Sequence, residues 1–124
     1  MSNFLEQFTT EIKANVPGYI AVTVTEVATG ICYVSHSDKA DFDPEMASAY
    51  NLEVVKAKQG AIKALGLDSK IQDILITLTD QIHIIDVAEN GEYFIYLAVD
   101  SSKANLGMTR ALLKKYKKDI VNEL

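Results

Sequence analysis

The chain has 124 residues, 48% of them hydrophobic and 23% charged, at a mean hydropathy of +0.06, which fits a single domain over residues 1–124 and excludes two. A domain of this size buries roughly two-thirds of the surface its unfolded chain exposes, so it needs neither a disulfide nor a structural metal; the lone Cys32 and two histidines supply neither. The net charge of −5 conceals an asymmetry: from Lys103 onward six basic residues face only Asp119 and Glu123, a net +4 that leaves −9 for the rest.

An acidic body with one basic terminal segment argues against nucleic acid as a partner, since phosphate binding spreads cations over one large face, and leaves a charged protein partner open. Residues 1–15 carry Glu6, Glu11 and Lys13, without the basic start and unbroken apolar run of a signal peptide. No segment reaches the roughly 18 apolar residues of a membrane helix. A cytoplasmic protein with no direct membrane insertion is the expectation.

Phe4, Leu5, Phe8 and Ile12 fall at helical spacing, with Ser2 or Asn3 as cap and Val16-Pro17-Gly18 as terminator, which predicts an amphipathic helix over 3–15. Residues 19–27 and 31–35 are rich in β-branched and aromatic side chains around Ala28-Thr29-Gly30, a hairpin pattern. Asp43-Pro44-Glu45 then opens the longest helix: the Asp43 carboxylate accepts from free backbone N–H groups, Pro44 has no N–H to lose, and Glu45 suits the positive dipole end. Phe42 stands where a hydrophobic staple begins, and Gly66 stops the helix after Leu65. On a helical wheel Met46, Ala47, Tyr50, Val54, Ala57, Ala61, Ala64 and Leu65 form one stripe, the expected core face. Val55 and Ile62 lie beyond its edge and Leu52 further round, as spare apolar surface.

Residues 71–79, 81–87 and 93–99 read as three strands of a meander, with turns at Asp80-Gln81 and Asn90-Gly91. Tyr93 to Val99 lacks polar alternation, the pattern of a central strand covered on both faces. Residues 103–124 close as a helix with Leu106, Leu113, Tyr116, Ile120 and Leu124 on one side. The order is α-β-β-α-β-β-β-α, an α+β domain.

That order and three local patterns resemble the Roadblock/dynein light chain domain family over nearly the whole chain. The patterns are Val16-Pro17-Gly18-Tyr19-Ile20-Ala21-Val22, the long capped helix followed by Ile74-Leu75-Ile76 and Ile82-His83-Ile84-Ile85, and the leucine-glycine step in Ala104-Asn105-Leu106-Gly107-Met108. Ala21 stands where the family often has a second glycine, and Ala28-Thr29-Gly30 replaces an Asp-Gly turn. The resemblance implies a profilin-like sandwich: a five-stranded antiparallel sheet of order 2-1-5-4-3, with the long helix on one face and the terminal helices on the other. It further implies edge-to-edge dimers through the third strand and long helix, and a non-catalytic role in regulating or scaffolding small Ras-like GTPases or motor and signalling assemblies.

The residues support that arrangement at one point. A third strand bearing Ile74, Ile76 and Leu78 at a sheet edge is an aggregation hazard unless covered, and a closed two-fold dimer covers it. The expected homodimer interface comprises Leu52, Val55, Gln59, Ile62, Ile74, Ile76 and Leu78. The bland alternative is that Val55 and Ile62 only reach the margin of their own sheet.

Catalytic chemistry is thin. The six glycines show no phosphate-loop spacing, so a GTPase is expected as a partner, and no cofactor is expected. Cys32 near His36 lacks a triad context and reads as a small buried hydrophobe. His83 reads as a histidine making one hydrogen bond at a packed surface, and Asp38, Asp41, Asp43 and Glu45 lack the glycine and distal glutamate of a calcium loop. Lys114, Lys115, Lys117 and Lys118 read as a solvated face around an inward Tyr116. Arg110, the only arginine, lies in a helix whose packing gives no reason to expect an arginine finger. The second functional reading is a small-molecule sensor with an apolar pocket under the long helix, lined by Tyr50, Tyr93 and Tyr96.

Overall fold

Three helices sandwich one sheet in the computed structural model, which describes residues 2–124, with side chains from Phe4 onward. The cap expected from Ser2 or Asn3 lies outside the described side chains. The elements are α1 (Ser2–Asn15), β1 (Tyr19–Glu26), β2 (Cys32–Ser37), α2 (Pro44–Ala64), β3 (Asp73–Thr77), β4 (Gln81–Val87), β5 (Tyr93–Asp100) and α3 (Leu106–Glu123). The sheet order is β2-β1-β5-β4-β3, with every neighbouring pair antiparallel. Both the α-β-β-α-β-β-β-α order and the strand order agree with the sequence reading.

Local chemistry sets the boundaries. At Gly18 the backbone turns through φ +75°, and its carbonyl accepts from the Asp100 N–H at 2.8 Å, pinning the entry of β1 to the end of β5. A Cβ there would stand 2.9 Å from the Asp100 carbonyl oxygen, so glycine is required twice over. Asp43 caps α2 by accepting from the Met46 N–H at 3.1 Å, and Phe42 packs with Ala47 against the core beneath that helix. The α2 terminus closes with Gly66 N–H on the Lys63 carbonyl and Leu67 N–H on the Ile62 carbonyl, the Schellman pattern. α3 begins at Leu106 rather than Lys103, because Lys103 N–H is committed to a turn with the Asp100 carbonyl and Asn105 caps Met108. β3 is shorter than the 71–79 expected: Leu78 N–H already closes the turn onto the Gln81 carbonyl.

β5 is central, and Tyr93 to Val99 are all buried. Its odd-numbered residues join Phe8, Ile12, Leu113, Tyr116 and Ile120 in the core shared with α1 and α3. Phe94, Tyr96 and Ala98 join Ile20, Ala21, Val55, Ile85 and Val87 in the core shared with α2.

The long helix is turned over relative to the sequence expectation. Its buried residues are Ser48, Asn51 and Val55, and Leu52, Gln59 and Ile62 on the same side are half-buried. Met46 is 59% exposed, Tyr50 73% and Leu65 71%, so the stripe expected to face the core faces outward, apart from the half-buried Ala47 and Ala61. The reason lies in the sheet. β1 presents Thr23 and Thr25 to α2, both buried; the Thr25 hydroxyl finds its polar partner on the helix, whereas Thr23 Oγ1 has no hydrogen-bond partner among the described residues. Ser48 Oγ hydrogen-bonds Thr25 Oγ1, Asn51 stands beside the Tyr96 hydroxyl, and the Gln59 amide donates to the Gly91 carbonyl at 3.4 Å.

Candidate protein-binding surface

β3 is an edge strand, and its pairing with β4 fixes which backbone groups remain free. Leu78 N–H donates to the Gln81 carbonyl, and Val87 N–H to the Gln72 carbonyl. With the register Asp73↔Asp86 through Thr77↔Ile82, the even-numbered residues of β3 direct their N–H and C=O groups toward β4. Asp73, Leu75 and Thr77 direct theirs to the open edge. Side chains alternate across the two faces. Ile74 and Ile76 pack, half-buried, on the α2 side, whereas Leu75 is 39% exposed on the α3 side beside Asp73. Leu78, just past the strand, is exposed as well. No proline, lysine or bulge interrupts this edge; of the usual devices that block pairing it has only its shortness and the charge of Asp73.

The expected interface residues therefore divide. Ile74, Ile76 and Leu78 sit at the open edge or beside it. Val55 is fully buried within its own protomer, which removes it from any outer surface. Leu52 lies against the β1–β2 turn at Gly30, Gln59 holds the β4–β5 turn, and Ile62 lines a cleft with Ile71 and Val87. The helix surface left for a partner is instead Met46, Tyr50, Val54 and Leu65, exposed large side chains recurring near helical spacing. The sequence signal was present, because the wheel shows the stripe; its assignment to the core was the error.

The far face of β3 is held by charge. Asp73 and Asp86 are directly opposite each other, a repulsive placement that two α3 cations relieve. Arg110 Nε and a terminal nitrogen donate to the two Asp73 oxygens at 2.8 and 3.1 Å, and Lys117 Nζ donates to Asp86 at 2.8 Å. Burial pushes the Asp86 carboxyl above its ordinary range, and the Lys117 contact only partly reverses this. Lys117 is thus a structural partner rather than one of four solvated lysines, and Arg110 is occupied in positioning β3. Tyr116 is buried, as expected.

The remaining candidate residues hold local contacts. His83 Nε2 meets Gln81 Oε1 at 2.8 Å, with Tyr96 and Phe42 edge-on at 5.3 and 6.3 Å, and burial lowers its pKa against an opposing pull from Asp80. His36 Nδ1 meets the Tyr19 hydroxyl at 2.6 Å. Cys32 is half-buried, donates to the Val34 carbonyl, and is held in the thiol form mainly by burial. Tyr50, Tyr93 and Tyr96 do not converge: Tyr50 is exposed on the outer stripe, Tyr96 lies beneath α2, and Tyr93 belongs to the opposite face. The pocket expected from them does not form.

An α+β sandwich with this strand order and an open β3 edge has the Roadblock-like fold, and comparison with solved structures agrees. The chain is similar to the Roadblock/LC7 domain from Streptomyces avermitilis, with a TM-score of 0.77 at 10% identity over 99% of this chain and 96% of that one. It is similar to Myxococcus xanthus MglB, with a TM-score of 0.76 at 13% identity over 97% and 84%. The gliding protein MglB from Thermus thermophilus aligns with a TM-score of 0.67 at 17% identity, over 94% and 82%. No family profile matches the sequence, and no curated protein matches it.

Proposed function

We propose that the chain is a non-catalytic, dimeric regulatory or scaffolding module that engages a small Ras-like GTPase or a related assembly protein. The observation that carries this reading is the outward apolar stripe of α2, Met46, Tyr50, Val54 and Leu65, on a fold shared with MglB and Roadblock/LC7 structures. The fold does not require that stripe to be apolar, since the inner face of α2 already meets the sheet through Ser48, Asn51 and Val55. Two copies joined at β3 supply a pair of such helices. Regulation then follows from unequal affinity for the partner's two nucleotide states, since a ligand shifts an equilibrium only by its differential binding. Any effect on hydrolysis arises by positioning the partner's own groups, because Arg110 is tied to Asp73. The test is calorimetric titration of the chain with the Ras-like GTPases of its host, loaded with GDP or a GTP analogue. The proposal expects one GTPase to bind one state at least severalfold more tightly, and Tyr50→Glu to abolish that binding. Equal affinities for both states, or no binding by any host GTPase, overturns it.

A further inference from the structure

Between α3 and the segment 67–73 that links α2 to β3 runs an open groove of about 950 Å³. One wall is a single stripe of α3: Arg110, Lys114, Lys117, Lys118 and Val121, spaced three or four residues apart. The other wall carries Lys70 and Ile71, and Val87 adds an apolar contact. The fold uses only two of these five cations. Arg110 is tied to Asp73 and Lys117 to Asp86, whereas Lys70, Lys114 and Lys118 are exposed and form no ion pair among the described residues. Arg110, Lys114 and Lys118 follow one another at four-residue intervals, so each neighbouring pair repels along the helix, and no carboxylate among the described residues pairs with either lysine to offset it. We infer that this groove is a docking site for an acidic, partly apolar segment of a partner protein, whose carboxylates take Lys70, Lys114 and Lys118 as counter-ions. α3 packs on the face of the sheet opposite α2, so this surface is distinct from the outward stripe of α2 and stands independently of the reading above.

Charge and shape select that occupant. The chain before Lys103 carries −9 and the remainder +4, so an acidic partner is repelled by most of the protein and drawn to α3, which orients the encounter. Asp68 and Glu89 share the lining with the lysines. An anionic bilayer or a phosphate backbone presents negative charge throughout and meets these two carboxylates at a penalty. A peptide sets carboxylates opposite the lysines and apolar or basic side chains opposite Asp68 and Glu89. The concave shape also keeps a flat bilayer from reaching both walls at once. Ile71, Val87 and Val121 on the lining, with Leu67 exposed beside them, supply apolar surface for side chains between the charges. The stretch of α3 from Arg110 to Val121 is about 17 Å long, which accommodates about five residues of extended chain.

The probe is a fluorescent peptide of three glutamate-glutamate-leucine repeats, followed by anisotropy, with a version carrying glutamine for glutamate as the neutral control. Wild type should bind the acidic peptide at least about tenfold more tightly than the neutral one, and about 0.5 M salt should remove most of that difference. Lys114→Glu combined with Lys118→Glu should weaken binding by about tenfold or more, whereas Lys58→Glu combined with Lys115→Glu, the same change in net charge at exposed positions outside the groove, should change it by less than about twofold. Equal losses in the two variants, or no preference for the acidic peptide, overturns the inference. The site is also mapped on the wild-type chain, where the folding of a variant plays no part: amide shifts on titration with the acidic peptide should concentrate at residues 68–72 and 114–121, and shifts concentrated elsewhere overturn the assignment. Vesicles of phosphatidylcholine and phosphatidylserine and a single-stranded oligonucleotide serve as competitors; tighter binding of either than of the peptide overturns the inference in favour of a membrane or a nucleic acid. Tyr50→Glu, which removes the α2 surface, should bind the peptide as wild type does, so failure of the GTPase reading and failure of this one are seen separately.

Discussion

Truncating Val55 to alanine distinguishes the observed setting of α2 from the one its hydrophobic pattern suggests. Val55 is fully buried between α2 and the sheet, in contact with the cluster that holds Ile85, Val87, Phe94 and Tyr96. Removing two methyl groups forfeits about 1.6 kcal/mol of transfer free energy at ~0.8 kcal/mol each, and incomplete collapse of the cavity raises the loss to about 2 kcal/mol. For a domain of this length that corresponds to a fall of on the order of 7 °C in Tm. Val54 is the internal control: it is 38% exposed on the outer stripe, and Val54→Ala should change stability by less than about 0.5 kcal/mol. The assay is urea unfolding followed by circular dichroism, at two chain concentrations tenfold apart so that dissociation shows as a concentration-dependent midpoint. The reasoning requires the Val55→Ala loss to persist at both concentrations. If Val54→Ala costs more than Val55→Ala, the helix is rotated about its axis and the polar seam beneath it is wrong.

Three further outcomes follow from the same contacts. Lys117→Met leaves the Asp86 carboxylate buried without its cation and should cost about 3 kcal/mol at pH 8. Because burial already raises the Asp86 pKa, protonation relieves the variant, so urea unfolding at pH 5 should show a smaller loss; an equal or larger loss at pH 5 would contradict the assignment. The lowered pKa of His83 means that its contribution to stability is fully present above the ordinary histidine value and is lost as pH falls through the depressed one. The stability difference between wild type and His83→Gln should therefore shrink between pH 7.5 and pH 5, and parallel pH profiles would refute this. Gly18→Ala and Gly66→Ala share a positive φ, but only Gly18 also meets a backbone oxygen. Thermal melts should show a loss of about 1 kcal/mol at Gly66 and more than about twice that at Gly18; equal losses would show that the close approach to Asp100 does not matter.

Strands and caps were legible because their causes are local. Asp43-Pro44-Glu45, Asn90-Gly91 and the unbroken apolar run of β5 each specify their conformation within a few residues, and the structure places them as read. The rotation of α2 was not legible, because periodicity identifies the more apolar stripe without saying what covers it. Here the sheet offers Thr25 and Tyr96, so Ser48 and Asn51 turn inward and the apolar stripe is released to the surface. The ionic tie of α3 to β3 and β4 was equally hidden, since Asp73 and Asp86 become neighbours only through the strand register. Two features could have suggested it: Asp86 interrupts the apolar run from Ile84 to Ala88, and Arg110 and Lys117 are seven residues apart on one helix face. The exposed edge was readable as a row of Ile74, Ile76 and Leu78, but only the backbone hydrogen bonds to β4 reveal that Leu75 is the middle of the open edge.

Dimerisation through the β3 edge is the claim on which the functional reading depends, and the solution mass measured by light scattering tests it most directly. The account predicts a wild-type mass of twice 13.7 kDa and a folded monomer when Leu75→Lys places a charge in the middle of the open β3 edge. A wild-type chain of 13.7 kDa, or a Leu75→Lys variant that stays dimeric, would contradict it.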